Sequence, residues 1–129
     1  MKVLFFILTL IIISVSANAE WKKIAKDEVY GDYFYINDKK ITKQSGFTFW
    51  WQIADFGTKP GVDQSLSNVV YYQGDCKQKK AKSLIFLTHK LNMGKGQGIV
   101  KKLPSSYSGW LDAKPGMSLE VIMKYVCNQ

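Results

Sequence analysis

The chain has 129 residues, of which 47% are hydrophobic and 14% aromatic, and it contains 18 lysines, no arginine and 10 acidic residues. This composition excludes a disordered chain and allows one domain with one modest core. Arginine is preferred for paired contacts with phosphate and guanine, so its absence argues against sequence-specific recognition of nucleic acid. The excess of lysine favours diffuse attraction to anionic surfaces.

Residues 1–19 are typical of a secretory signal peptide. Lys2 gives a positive start, residues 3–13 are almost wholly apolar, and Ala17-Asn18-Ala19 is a small-residue cleavage site. The apolar run is too short to span a bilayer about 30 Å thick, so we expect cleavage and no transmembrane segment afterwards. No cysteine follows the run, so we also expect no lipid anchor.

The predicted mature chain, residues 20–129, forms a single domain with a net charge of +7. We expect it to be exported and to reside in the periplasm, on the outer surface or outside the cell. Its first strands are predicted from aromatic and β-branched stretches at residues 32–36 and 47–56.

Side chains alternate along residues 47–56, so this strand has two faces. The better candidate for the core is the face formed by Phe47, Phe49, Trp51 and Ile53. Trp50 lies on the other face, where we expect it to need cover from a loop, a helix or a partner.

Residues 71–80 combine an aromatic run, a cysteine and the densest lysine cluster of the chain. Either one long bent strand or two shorter strands fit this region. Simple alternation from Cys76 would put Lys80 and Lys82 on the cysteine's side. We therefore expect a bulge, a bend or a chain end that overhangs solvent, and Gly74 is a natural place for such a distortion.

The C-terminal segment has a helical period. Apolar residues at i, i+3, i+4 and i+7 are Leu119, Ile122, Met123 and Val126. Ser118 is the expected cap, and Cys127 lies at the edge of the apolar face. The chain therefore has an α+β pattern, with a β-sheet and a C-terminal α-helix packed on it.

Cys76 and Cys127 are the two cysteines of the chain. In an exported protein they favour one disulfide, which would close a loop of about fifty residues and contribute roughly 4 kcal/mol. Two free thiols or a metal pair are the alternatives, but the single histidine, His89, leaves few further metal ligands.

The pattern of polar residues does not indicate a reaction centre. His89 has no acidic neighbour in the sequence to orient it, and we expect it at the surface, at the end of a strand. The glycine-rich run at residues 94–98 lacks the spacing and the Lys-Ser/Thr ending of a phosphate-binding loop. We therefore predict a protein that is not an enzyme, with no catalytic residue, no metal site and no cofactor.

Short motifs follow one another along the mature chain: Trp21-Lys22-Lys23-Ile24-Ala25, Tyr33-Phe34-Tyr35-Ile36, Trp50-Trp51, Tyr71-Tyr72-Gln73-Gly74-Asp75-Cys76-Lys77, Met93-Gly94-Lys95-Gly96, Pro115-Gly116 and Tyr125-Val126-Cys127. Together they resemble the surface-adhesin protein E family of small exported bacterial proteins, over essentially the whole mature chain. The resemblance implies an antiparallel sheet crossed by a C-terminal helix, with a disulfide between Cys76 and Cys127. It also implies binding of host extracellular-matrix or serum proteins.

The candidate ligand contacts are the lysine cluster and its neighbouring tyrosines: Lys77, Lys79, Lys80, Lys82, Tyr71 and Tyr72. A solvated strand edge that prevents aggregation is the alternative interpretation of these lysines. Alternative functions are a periplasmic factor that binds an anionic envelope lipid or polysaccharide, and an inhibitor of an exported enzyme. A homodimer is also compatible with the sequence.

Overall fold

The computed structural model describes residues 20–103 and 108–129. In these residues an antiparallel sheet of eight strands is followed by one α-helix, α1 (Ser118–Cys127), so the predicted α+β class is confirmed. The strands are β1 (Trp21–Lys26), β2 (Tyr33–Asn37), β3 (Thr42–Gln44), β4 (Phe47–Asp55), β5 (Ser67–Asp75), β6 (Lys80–His89), β7 (Gly98–Val100) and β8 (Leu111–Asp112). The predicted signal peptide lies outside the described residues, and its cleavage stays a prediction.

The strands are arranged in the order β1-β2-β4-β5-β6-β7, with β3 also paired to β4 and β8 also paired to β6. The two middle strands of this order are β4 and β5, and β5 forms a hairpin with β6 that we name the central hairpin. Its turn is stabilised by Asp75, whose Oδ1 accepts hydrogen bonds from the backbone N–H groups of Lys77 (3.1 Å) and Gln78 (3.0 Å). The region around Cys76 is therefore two strands and a tight turn, and the interpretation as one bent strand was wrong.

The helix packs as its sequence period predicts. Ile122, Met123 and Val126 are buried in one cluster with Trp50 of β4 and Ile36 of β2. The first helical residue is Ser118, and Met117 precedes it as N-cap without a side-chain hydrogen bond. The predicted cap by Ser118 was therefore wrong, and the N-terminal end of α1 has no side-chain cap.

The helix supplies the cover that we expected Trp50 to need, and it packs on the face of β4 that was the weaker candidate for the core. We name this side the helix face and the opposite side the open face. Trp50 is fully buried on the helix face, whereas Phe47, Phe49 and Trp51 lie half-buried on the open face. The core was thus assigned to the wrong face of β4, because aromatic residues occupy both faces and alternation alone cannot choose between them.

Gly74 makes room for Trp50. A Cβ atom added at Gly74 would lie 2.5 Å from Cζ3 of Trp50 and 3.4 Å from Cε of Met123, and the first of these distances is a steric clash. The glycine lies within β5 in regular pairing with Thr48 and Ala81. Its role is therefore close packing, and the bend expected there was placed wrongly.

The expected bulge does occur, but farther along β6. The pairing of β5 with β6 shifts by one residue between Tyr71 and Tyr72, which face Ile85 and Ser83, so Leu84 is the additional residue. Lys80 and Lys82 alternate with the buried Ala81, which places both lysines on the open face. Alternation counted from Cys76 did not predict the face on which Lys80 and Lys82 lie, because Cys76 belongs to the turn and not to a strand.

A disulfide joins Cys76 to Cys127, with a Cα–Cα distance of 5.9 Å, and confirms the predicted pairing. Cys127 is the last residue of α1, and Cys76 follows β5 directly. Thr48 Oγ1 lies 3.4 Å from the sulfur of Cys76, and Nζ of Lys43 donates to the carbonyl of Cys127 at 3.4 Å. The bridge thus attaches the C-terminal end of the helix to the central hairpin.

Replacing Cys76 and Cys127 by serine together should lower the free energy of unfolding by about 4 kcal/mol, because the bridge restricts the unfolded chain over a long loop. Urea unfolding at equilibrium measures this loss. The wild-type protein under reducing conditions is the matched control and should unfold at the same midpoint as the double variant. A loss below about 1 kcal/mol would contradict the role of the bridge.

Gly74→Ala should destabilise the protein by about 1–3 kcal/mol, because the new methyl group overlaps the Trp50 ring in a packed core. Gly109→Ala is the matched control, since a Cβ at Gly109 would meet no atom within 4 Å. We expect the control to change the unfolding free energy by no more than about 0.5 kcal/mol. Equal stability of the two variants in urea unfolding would show that Gly74 does not provide the space for Trp50.

Candidate binding surface

The open face carries a row of aromatic side chains at the centre of the sheet. Trp51 of β4 pairs with Tyr71 of β5, and Phe49 pairs with Gln73, so these side chains project from neighbouring positions on one surface. The Tyr71 ring lies 4.8 Å from the Trp51 ring and 6.1 Å from the Phe49 ring, measured between centroids. We name Phe49, Trp51 and Tyr71 the aromatic patch.

A second stacked pair extends the patch towards β8. The rings of Phe47 and Trp110 lie 6.0 Å apart, and the ammonium group of Lys80 lies 5.2 Å from the centre of the Trp110 ring. Such stacking holds the rings in fixed orientations and is worth about 0.5–1.5 kcal/mol per pair beyond burial. The patch is therefore a preorganised surface, and a partner would not have to order it.

Lysines lie on both sides of the aromatic patch. On β6, Lys80 and Lys82 share the open face with Tyr71. At the opposite edge of the sheet, Nζ of Lys23 lies 4.2 Å from the centre of the Tyr33 ring, and Nζ of Lys26 lies 5.5 Å from it. The surface thus combines apolar rings in the middle with positive charge at two edges.

The predicted contact residues separate into three places. Tyr71, Lys80 and Lys82 lie together on the open face, while Lys77 and Lys79 are exposed in the turn between β5 and β6. Tyr72 lies on the helix face, where its ring stacks on Trp50 at a centroid distance of 5.4 Å. Tyr72 therefore does not lie on the open face with Tyr71, Lys80 and Lys82.

The sequence did not predict that β1 and β2 contribute side chains to the open face. Tyr33 and Tyr35 project onto the open face, and Lys23 and Lys26 of β1 pair with them. The alternation of Tyr33 and Tyr35 with the apolar Phe34 and Ile36 was visible in the sequence. The register of β1, with its shift between Lys23 and Ala25, was not visible there.

One end of the open face is closed by the segment after β6. Asp55 anchors this segment, since its carboxylate accepts hydrogen bonds from the Asn92 side chain (3.0 Å) and from the Met93 backbone N–H (2.8 Å). Gly94 comes so close to β5 that an added Cβ would lie 2.8 Å from Val69. This cover accounts for the complete burial of Ile53 and leaves the aromatic patch open.

His89 is buried, so its expected position at the surface was wrong, although it is the last residue of β6 as predicted. Its Nδ1 lies 3.3 Å from the carbonyl oxygen of Lys95, and its Nε2 has no hydrogen-bond partner among the described residues. Over residues 20–103 and 108–129, no group of acidic, histidine and cysteine side chains has a geometry suited to a metal ion.

The desolvated phenol of Tyr72 is the clearest electrostatic feature below the surface. Burial raises the pKa of Tyr72 above its usual value, so its hydroxyl keeps its proton at neutral pH. On the outside, a hydrogen bond to Asp38 raises the pKa of Tyr125, and hydrogen bonding and charge from Lys101 lower the pKa of Asp63. None of these three groups lies in the aromatic patch.

Comparison with known proteins identifies the family. The family described as Surface-adhesin protein E matches residues 21–128. The chain belongs to the surface-adhesin protein E family. This membership confirms the resemblance seen in the motifs and characterises the chain as an adhesin-like surface protein. A search of curated proteins returned no match.

Solved structures of protein E from Haemophilus influenzae share the fold of this family member. The selenomethionine form has a TM-score of 0.62 at 12% identity, covering 84% of this chain and 86% of that chain. A second crystal form has a TM-score of 0.62 at 14% identity, covering 84% and 87%. Protein E from a non-typeable strain has a TM-score of 0.58 at 13% identity, covering 84% and 75%. At such identities the likeness shows the fold alone.

In the described part of the chain, no helix is both long and apolar enough to cross a bilayer.

Proposed function

We propose that this protein is a non-enzymatic adhesin that binds host extracellular-matrix or serum proteins through the open face of its sheet. The single observation that carries the proposal is the aromatic patch, a set of stacked, half-buried rings with lysines on both sides. Membership in the surface-adhesin protein E family supports the class of ligand.

The chemistry of the open face suits a protein partner. Aromatic side chains that are rigid and only partly exposed supply most of the binding energy in many interfaces, because they bury a large area at a small cost in entropy. Trp51 and Tyr71 have this form, since each is stacked on a neighbouring ring and half-buried. Such a patch would be the centre of the interface, and the lysines its rim.

The lysines would attract an acidic partner to this surface. The mature chain has a net charge of +7, so an acidic protein surface is attracted over a distance that shortens as salt screens the charges. Lys80 and Lys82 lie beside the patch and would form its rim contacts, while Lys77 and Lys79 project from the turn at its end. Substitution of these lysines should therefore change the rate of association with the partner more than the rate of dissociation.

The proposed location is outside the cytoplasm. It rests on the predicted signal peptide at residues 1–19 and on the family match. The bridge between Cys76 and Cys127 is consistent with it, since disulfides persist in oxidising compartments. Surface exposure and secretion both allow contact with a host protein, whereas retention in the periplasm would favour an envelope ligand.

Two variants test the contact surface against a panel of purified matrix proteins, serum proteins and envelope glycans at two salt concentrations. Trp51→Ala should weaken binding to a matrix or serum protein about 30-fold, the usual effect of removing a central aromatic anchor. The double variant Lys80→Glu and Lys82→Glu should slow association at low salt and lose most of this effect at high salt. Surface plasmon resonance measures both changes, and urea unfolding verifies that the variants remain folded.

The matched control is the double variant Lys40→Glu and Lys114→Glu, which has the same net charge but changes exposed residues outside the open face. We expect it to retain most of the binding. An equal loss in both double variants would assign the effect to net charge and not to this surface. Binding of an envelope glycan without any matrix or serum protein would overturn the adhesin proposal in favour of the periplasmic alternative.

A further inference from the structure

A groove of about 330 Å³ lies beside the disulfide and is lined by the bridge, by the turn between β3 and β4, and by Lys77. Lys43 of β3 also lines it, so lysines from two different elements border one concave space. The other lining residues are uncharged, and none of the described carboxylates lines the groove. We name this space, bordered by Lys43, Lys77 and the disulfide, the lysine groove.

A second pocket, of about 200 Å³, shares both cysteines with the lysine groove. Lys79 and Lys124 line this pocket, and Glu120 is its acidic residue. Lys124 and Glu120 form an ion pair with an N–O distance of 3.7 Å. The groove and the second pocket therefore meet at the disulfide, and together they are lined by four lysines and one glutamate.

The charge of these lysines is largely unopposed. In the described part of the chain, Lys124 is the one of the four that forms an ion pair. Asp75 lies in the same hairpin, but its Oδ1 already accepts hydrogen bonds from two backbone N–H groups of the turn. Asp112 pairs in the sheet with Lys80, on the open face. The surface around the bridge thus has an excess of positive charge, which favours an anionic ligand.

The C-terminal end of α1 also lies at the bridge and contributes a partial negative charge through its last carbonyl groups. Two of these carbonyls are engaged: that of Cys127 accepts from Nζ of Lys43 at 3.4 Å, and that of Lys124 accepts from Nδ2 of Asn128 at 2.6 Å. The dipole of a helix acts as about half a charge, so the lysines determine the sign of the potential in the groove.

The arrangement suits an anionic chain better than a single ion, because the lysines border two spaces that adjoin. Lysine contacts an anion as a compact point charge, so lysines from different elements suit a sulfate group with its several free oxygens. Paired recognition of a carboxylate favours the planar fork of arginine, which this chain lacks. A chain with repeated sulfate groups therefore fits better than an acidic peptide.

The shape and lining of the lysine groove disfavour two other polyanions. A bilayer surface is flat and is bound by basic residues with apolar side chains inserted beside them, whereas this groove is concave. Single-stranded nucleic acid requires free aromatic rings on which bases stack, and Phe47 of the groove is already stacked on Trp110. The amide of Gln44 and the hydroxyl of Ser45 are instead suited to the hydroxyl groups of a sugar.

We propose that the lysine groove and the second pocket bind a sulfated glycan chain of the glycosaminoglycan type, which crosses the disulfide. One sulfate group lies between Lys43 and Lys77, and a later one along the chain meets Lys79. The host matrix as the source of this glycan rests on the proposed function. Binding of the glycan itself uses residues outside the aromatic patch, so it is separable from the contact with a host protein.

The test is isothermal titration calorimetry of the full mature protein with a heparin octasaccharide at two salt concentrations. The octasaccharide should bind, and binding should weaken as salt rises. The double variant Lys43→Gln and Lys77→Gln should weaken binding about tenfold, the combined effect of two exposed charge contacts. The matched control is the double variant Lys40→Gln and Lys59→Gln, which has the same net charge and lines neither space, and it should retain most of the affinity.

A second variant introduces a negative charge. Ser45→Glu places a carboxylate in the lysine groove and should abolish octasaccharide binding, whereas Thr58→Glu adds the same charge at the opposite end of β4 and should not. Urea unfolding verifies that all variants are folded.

Four results would each overturn the proposal. They are no binding of the octasaccharide, equal binding of an unsulfated octasaccharide with the same backbone, equal losses in the two lysine double variants, and tighter binding of a polyglutamate peptide or of anionic phospholipid vesicles. Trp51→Ala should leave octasaccharide binding unchanged. Failure of the glycan site is therefore distinguishable from failure of the open face as the contact with a host protein.

Discussion

The disulfide between Cys76 and Cys127 is the constraint on which the arrangement of this protein depends. A helix of ten residues is marginal in water, and α1 has no side-chain cap at its first turn. The bridge holds its last residue against the central hairpin, so the apolar face of the helix meets Trp50 and Ile36. Gly74 completes the arrangement, because any larger residue there would displace the Trp50 ring.

Once the helix occupies one side of the sheet, the two sides acquire different chemistry. The helix face becomes a core with a cleft beside α1. The open face keeps stacked rings in partial contact with water: among the described residues, the segment anchored on Asp55 covers one end of it and Trp110 stacks on Phe47 at another. A stable sheet with one aromatic face uncovered is unusual for a monomer and typical of a binding surface.

The sequence predicted the helix, the bridge and the strand at residues 47–56, but it did not predict which face of the sheet the helix covers. The period of Leu119, Ile122, Met123 and Val126 predicted the helix, and the two cysteines predicted the bridge, because both signals are local or depend only on counting. The choice between Trp50 and Trp51 depended on the partner strand, since Gly74 creates space only for the ring that lies over it. Tyr72 was assigned to the contact surface for the same reason. Alternation puts Tyr71 and Tyr72 on opposite faces of the sheet, but it does not tell which of these two faces the helix covers.

The most direct test of this account is hydroxyl-radical footprinting of the oxidised protein, with labelling resolved between Trp50 and Trp51 by tandem mass spectrometry. The two residues are chemically identical neighbours, so the ratio of their oxidation rates reports their exposure. The account predicts that Trp51 is oxidised several times faster than Trp50, since Trp50 is 0% exposed beneath α1 and Trp51 is half-buried on the open face. Equal rates, or faster oxidation of Trp50, would show that the helix does not cover this face of the sheet.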